Sequence, residues 1–256
     1  MHLKDEPTIR VDDLPPATTV VAKEAVETTE TERPLSEIIR ADRPALYFAY
    51  GSNLSFTQMR YRCTNDPDLS AHPVAIARLD GWRWLICEAG YANVIPPREL
   101  RVGEQVTHGD LVPISRGGEG GKEEEDQGAI YGVLYEMSDA DEFLLDGYEG
   151  VDHAAPDARP LIDRKVRPKE QGMGDYNKWY VRATVINWLD EEQRKSRLAD
   201  GDQQPVLIYV DEDRVRLGPP REEYIGRMNR AIAEAEQIGF PADWAEAVMR
   251  KSIPKQ

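Results

Sequence analysis

Cysteine is nearly absent: Cys63 and Cys87 are the only two in 256 residues. That excludes a disulfide framework and a four-cysteine zinc site, and it fits a reducing, cytoplasmic setting. Histidine is also scarce. His2, His72, His108 and His153 include no His-Glu-x-x-His pattern, and none pairs with a cysteine at metal-ligand spacing. There is no Gly-x-Ser-x-Gly elbow and no Walker-type lysine loop. The glycines at 117, 118, 120 and 121 sit among charges and follow no strand, which argues against a phosphate cradle. His153 reads as a surface-loop residue, so a Ser/His/Asp or Cys/His enzyme has little support. No apolar run approaches the roughly 18 residues a membrane-spanning helix needs, and the mean hydropathy is −0.60. Met1 to Pro7 lacks the basic start and apolar stretch of a signal peptide. Positive charge is in deficit: 32 Lys and Arg against 47 Asp and Glu leave −15, which disfavours duplex nucleic acid.

What is present is unevenly spread. Residues 1–44 hold ten acids and six bases, a net of −4, and are rich in Thr, Glu and Pro. Such a segment buries too little apolar area to offset its ordering entropy and reads as a disordered acidic tail. From Glu119 to Gln127 five acids and one base give another −4, as expected of a solvated acidic insert within 98–127. Hydrophobic residues make up 40%, enough for one core, placed at 45–256. No internal repeat is found.

Within that core Ala45–Tyr50 is a buried-strand signal closed by Gly51, with Ser52 and Asn53 as caps of a short helix through Leu54, Met59 and Tyr61. Strands are predicted at 74–77, 82–87, 92–95, 129–135, 179–188 and 206–210. Ser138 to Asp141 resembles a capping box, with Phe143, Leu144 and Leu145 as the apolar side of a helix that Gly147 should end. Tyr224, Met228, Ala231, Ala235 and Ile238 follow helical spacing up to Gly239 and Pro241, and a short helix surrounds Trp244 and Val248. About seven strands and three or four helices, without regular βαβ alternation, indicate α+β.

Two local features bear on chemistry. Tyr50-Gly51-Ser52-Asn53 stands at a strand-to-helix junction, where backbone can approach a ligand and N–H groups can hold an anion or oxyanion. Ordinary turn chemistry is its other reading. Glu149 lies between Gly147 and Gly150, beside Tyr148 and Val151. An apolar setting there would raise its pKa and suit it to proton transfer; a solvated surface glutamate is the alternative.

Taken in order, Leu46 to Leu54, Val74 to Leu79, Tyr131 to Tyr135, Leu145 to Val151 and the Tyr-Ile…Gly-Phe-Pro-Ala-Asp-Trp of 224–244 resemble the gamma-glutamylcyclotransferase family over roughly residues 45–249. The tail, the insert and a polar stretch around 155–178 depart from that family's compact pattern. The resemblance implies a small mixed β-barrel with flanking helices. It implies that Glu149 is the catalytic acid/base and that Tyr47, Phe48, Ala49, Tyr50, Gly51, Ser52 and Asn53 hold the gamma-glutamyl group, largely through backbone. Tyr224 matches a substrate-contacting tyrosine, and Tyr209 and Tyr180 are candidates for the same pocket, with core packing as their alternative role.

The activity implied is cleavage of a gamma-glutamyl amino acid or peptide to 5-oxoproline, with no metal, nucleotide or redox cofactor. The implied partner is that small substrate, with neither nucleic acid nor membrane, and the oligomeric state is open, a homodimer included. A gamma-glutamylamine-specific enzyme, a glutathione-specific enzyme and a non-catalytic binding module on the same fold are the alternatives.

Overall fold

The computed structural model describes residues 45–114, 128–153, 175–197 and 201–256. The acidic tail at 1–44, the 115–127 part of the insert and most of the 155–178 polar stretch lie outside the described residues.

Seven strands form among the described residues: β1 (Leu46–Ala49), β2 (Pro73–Asp80), β3 (Arg83–Ile86), β4 (Ala92–Ile95), β5 (Ala129–Tyr135), β6 (Asn177–Trp188) and β7 (Gln203–Val210). Five close into a barrel in the order β1-β5-β2-β6-β7. Every neighbouring pair is antiparallel except the closing one, where Leu46 and Tyr47 lie parallel to Val206 and Leu207. Closure leaves no barrel edge unpaired. Strands β3 and β4 form a separate hairpin, tied to the end of β7 by Asn93, whose amide donates to the carbonyls of Asp211 and Arg214, both at 2.9 Å. The fold is therefore the expected α+β mixed barrel with flanking helices.

Leu46, Phe48, Ile76, Ile130, Leu134 and Trp179 are fully buried in the barrel core. Each large aliphatic or aromatic side chain enclosed this way stabilises the fold by about 1.5–3 kcal/mol.

Among the described residues the helices are α1 (Phe56–Arg62), α2 (Pro67–Ser70), α3 (Glu104–His108), α4 (Asp139–Glu149), α5 (Glu191–Arg197), α6 (Glu222–Gln237) and α7 (Ala242–Ala247). Three of them, α2, α3 and α5, exceed the sequence expectation. Each is short and polar, held by local capping and ion pairs more than by an apolar stripe. The stretch 98–114 of the expected insert holds α3 and two 3₁₀ turns, with Arg101 buried against the Asp110 carboxylate at 2.8 Å.

Two helix boundaries differ from the sequence reading. Ser52 and Asn53 do not cap α1. They form a 3₁₀ turn, and Ser55 Oγ accepts from the Gln58 N–H at 3.0 Å. The side chains of Ser52 and Asn53 are instead drawn inward to Gln58, at 2.8 and 2.7 Å. Gly147 does not end α4, which runs to Glu149. Gly150 takes the left-handed conformation, with φ 71° and ψ 31°. The Val151 N–H reaches the Asp146 carbonyl at 2.9 Å and the Gly150 N–H reaches the Gly147 carbonyl at 3.4 Å, a Schellman ending. Of the expected apolar side only Leu145 is fully enclosed; Phe143 is half exposed and stacks on His153 with centroids 5.4 Å apart.

The other end of α4 is pinned by Asp141. Its buried carboxylate accepts from the Asn65 and Asp66 N–H groups, both at 2.8 Å, and from the hydroxyls of Ser70 at 2.8 Å and Ser138 at 3.0 Å. Burial alone would raise its pKa; these donors outweigh that and hold it below the usual carboxylate value. Asp141 therefore stabilises the fold above the pH where an unfolded aspartate titrates, and this contribution fades as pH falls through the lower folded value. Asp141→Ala leaves those donors without their acceptor. We expect it to cost about 3 kcal/mol and to lower the melting temperature on the order of 10 °C at neutral pH. A thermal melt within two or three degrees of the parent, on the order of 1 kcal/mol, would contradict this.

Candidate active site

The Schellman ending places the Glu149 side chain over the turn that leaves β1. Its carboxylate Oε1 accepts from Asn53 Nδ2 at 3.2 Å and from Arg62 Nη1 at 3.0 Å. Only 16% of the Glu149 side chain and 17% of the Arg62 side chain remain exposed, so this is a sheltered ion pair. The expected apolar surroundings of Glu149 are not found. A cation and an amide face it, and the Arg62 guanidinium also lies 4.9 Å above the Tyr148 ring. The pairing matters for interpretation: a buried carboxylate with its own arginine is tolerable without a task, so burial alone does not argue for catalysis.

The floor of the site is a set of buried tyrosines. Tyr47 Oη accepts from Asn53 Nδ2 at 2.9 Å, which chains Tyr47, Asn53 and Glu149 together. Tyr50 donates its hydroxyl to the Tyr209 carbonyl at 2.7 Å, and the Tyr50 carbonyl accepts from the Trp84 indole at 3.0 Å. Tyr209 donates to Asp146 at 2.7 Å, one turn before Glu149, and its ring meets Tyr47 edge-on at 5.5 Å. Burial, and then the negative charge of Glu149, push the Tyr47 phenol well above its ordinary value. Burial does the same to Tyr50, Tyr176 and Tyr209. These phenols stay protonated at neutral pH and act as neutral hydrogen-bonding groups.

Tyr224, from the first turn of α6, brings its hydroxyl to the same place. It accepts from the N–H of Ser52 and the N–H of Ala92, each at 3.3 Å. With both lone pairs engaged, that hydroxyl can only donate to anything further. Burial pushes its pKa up to about 12, so the proton is retained. The Ser52 N–H expected to await an anion is thus already turned toward Tyr224 Oη, and a ligand there would compete with a long, weak contact.

Gly51 has φ −115°, so the left-handed conformation is excluded as the reason for glycine. Space is the reason. A Cβ at 51 would lie 3.0 Å from Tyr224 Oη and 3.3 Å from Ala92 Cβ. We expect Gly51→Val to fold, to displace Tyr224 and to lower kcat/KM for the eventual substrate on the order of 10²-fold. Unchanged kinetics in a folded variant would make this turn purely structural.

The structure thus brings together Glu149, Asn53, Tyr47, Tyr50, Gly51, Ser52 and Tyr224, with Tyr209 one bond further out. Phe48 and Ala49 are fully buried in the core beneath. Tyr180 is buried on β6 opposite Leu207, and none of these contacts runs through it.

Sequence reasoning missed Arg62, Gln58 and Tyr176. Gln58 and Arg62 stand four residues apart on α1 and both reach Asn53 Oδ1, at 2.7 and 3.1 Å. Their helical spacing was the available signal. Tyr176 donates its hydroxyl to the Ala92 carbonyl at 2.7 Å. Its neighbours in sequence are polar, so nothing local marks it.

No protein-family model matches the chain, and no curated protein matches it. Among solved structures the chain is similar to YkqA from Bacillus subtilis, with 18% identity and a TM-score of 0.50 over 86% of this chain and 59% of that one. Two structures of a yeast gamma-glutamyl cyclotransferase specific to glutathione align at 12% identity and a TM-score of 0.41. They cover 77% and 81% of this chain and 88% and 97% of theirs. The likeness to YkqA establishes a shared fold, and this chain spans 59% of that protein's length.

Proposed function

We propose that this protein is a gamma-glutamylcyclotransferase that converts gamma-glutamyl amino acids or peptides to 5-oxoproline and a free amine, with Glu149 as the acid/base. The observation that carries the reading is the convergence of a sheltered carboxylate, from the end of α4, with the Tyr50–Asn53 turn and the Tyr224 hydroxyl.

The reaction asks little of a protein. The α-amine of the substrate attacks its own γ-carbonyl, so the lactam C–N bond forms as the γ-amide C–N bond breaks, and no water is consumed. A folded-over substrate gains a high effective molarity, on the order of 10⁵ M or more in well-oriented cases. Glu149 accepts a proton from the α-ammonium and returns one to the departing amine, a role worth about 10² to 10⁴ in rate. Asn53 and Arg62 hold that carboxylate in place. The Tyr224 hydroxyl and the turn N–H groups receive the glutamyl carboxylate or the oxyanion of the tetrahedral intermediate. The mechanism calls on no cofactor, and a reducing cytoplasmic setting suits the unpaired Cys63 and Cys87.

The test is direct: incubate the full chain with gamma-glutamyl-alanine and with glutathione, and separate the products by chromatography. Formation of 5-oxoproline from either supports the reading; its absence from both defeats it. A binding module on the same fold would retain substrate without releasing 5-oxoproline.

A further inference from the structure

Helix α4 carries three carboxylates, Glu142, Asp146 and Glu149, at i, i+4 and i+7. Helical spacing sets them in one row along the helix. Glu149 belongs to the site; the other two meet Lys178 of β6. Asp146 is the most enclosed of the three, with 3% of its side chain exposed. Its Oδ1 accepts the Tyr209 hydroxyl at 2.7 Å, and its Oδ2 accepts from Lys178 Nζ at 3.0 Å. The half-exposed His153 brings Nε2 to 3.1 Å from the same Oδ2. Lys178 and Tyr209 are opposite partners on β6 and β7, so one register position of the barrel presents both donors to this one carboxylate.

Stability does not account for a charge here, because well-packed apolar residues often serve a buried position as well as an ion pair does. Burial opposes the Lys178 ammonium, yet the Glu142 and Asp146 charges outweigh it and raise its pKa, so this lysine stays charged at neutral pH. What the contacts supply is a fixed position for two parts of the site. The Asp146 carbonyl accepts the Val151 N–H at 2.9 Å, the bond that closes the helix end behind Glu149. Tyr209, held by the Asp146 side chain, sets its ring edge-on to Tyr47 at 5.5 Å, and its carbonyl accepts the Tyr50 hydroxyl at 2.7 Å. Tyr47 Oη in turn accepts from Asn53 Nδ2, the amide that also donates to Glu149. Asp146 thus reaches Glu149 along its own helix and, through Tyr209 and Tyr47, along the barrel.

We propose that Asp146 is a positioning residue: by tying the last turn of α4 to Tyr209 and Lys178, it sets where the Glu149 carboxylate stands against the Tyr50–Asn53 turn. What that placement does for turnover rests on the cyclotransferase reading. Misplacing a reacting group by about 1 Å can cost on the order of 10²-fold in rate. The loss falls on kcat, because the groups that bind substrate are left in place. Glu142 supplies the comparison. It shares Lys178 with Asp146 but stands seven residues before Glu149, outside the chain of contacts from Tyr209 to Asn53.

The experiment compares Asp146→Asn, Tyr209→Phe and Glu142→Gln in the full chain, with gamma-glutamyl-alanine as substrate. The first two are expected to lower kcat on the order of 10-fold or more while KM stays within about threefold of the parent. Glu142→Gln is expected to keep kcat within about twofold, even where its melting temperature falls. A second readout needs no turnover: the side-chain amide signal of Asn53 in a nitrogen–proton correlation spectrum, identified by its loss in Asn53→Asp. That signal is expected to move by more than a linewidth in Asp146→Asn and Tyr209→Phe and to stay in Glu142→Gln. Equal kcat losses in all three variants overturn the proposal by making the cluster structural, and so does a Tyr209→Phe that fails to fold. A raised KM with parental kcat in Tyr209→Phe overturns it by placing that hydroxyl on the substrate. An unmoved Asn53 signal in folded Asp146→Asn and Tyr209→Phe overturns it whether or not the native protein is active. If the native protein forms no 5-oxoproline, the cyclotransferase reading falls, and the Asn53 signal alone decides whether Asp146 positions Glu149.

Discussion

Glu149→Gln is expected to fold and melt within a few degrees of the parent while 5-oxoproline formation falls at least on the order of 10²-fold. The structure explains why the two outcomes separate. Glutamine keeps an oxygen where Oε1 accepts from Asn53 at 3.2 Å and from Arg62 at 3.0 Å, so the contacts that place this side chain persist. What is lost is the capacity to take a proton and return it. The remaining cost is Arg62 without its counter-charge, and this is moderated because Arg62 still donates to Asn53 Oδ1 at 3.1 Å and still covers Tyr148. Purified Glu149→Gln with near-parental turnover would remove Glu149 from the chemistry. A variant that fails to fold would instead mark the Glu149–Arg62 pair as structural, and Glu149→Asp then decides. Aspartate keeps the charge but withdraws the carboxylate by one methylene, so a folded Glu149→Asp with parental activity would equally defeat the assignment.

The parts of this molecule that were legible in its sequence are those where local chemistry and fold agree. The apolar Leu46–Ala49 run, ended by Gly51, forms β1 as its pattern predicts, and the 3.6-residue spacing of Tyr224, Met228, Ala231 and Ala235 is the buried face of α6. Two neighbouring glycines show where locality fails. Gly147 and Gly150 are equally plausible helix ends by composition, but only the contacts after the helix decide. A Cβ at 147 would meet nothing within 4 Å, whereas one at 150 would meet Asp175 at 3.1 Å, with φ at 71° besides. The pairing of Arg62 with Glu149 spans 87 residues, and that of Ser52 with Tyr224 spans 172. Such contacts are properties of barrel closure, which carries the β1 end, the end of α4 and the start of α6 to one place. Sequence order names the candidate residues; it does not say that the carboxylate meets a cation rather than an apolar wall.

The last expectation concerns the substrate, and it separates cyclisation from hydrolysis. In cyclisation the α-nitrogen of the glutamyl group is the nucleophile. Acetylation turns it into an amide whose lone pair is delocalised into the new carbonyl. The group also loses the ammonium proton that Glu149 would take. N-acetyl-gamma-glutamyl-alanine should therefore release no alanine under conditions where the parent compound is consumed. A hydrolase built on the same residues would behave differently. Glu149 as a base could activate a bound water toward the γ-carbonyl, and the α-nitrogen would take no part. The products also differ: 5-oxoproline from cyclisation, glutamate from hydrolysis. Both should be resolved by chromatography at early times, because 5-oxoproline can open slowly to glutamate. Alanine released from the acetylated compound, or glutamate as the first product from the unmodified one, would overturn the cyclotransferase reading and leave Glu149 as the base of an amidase.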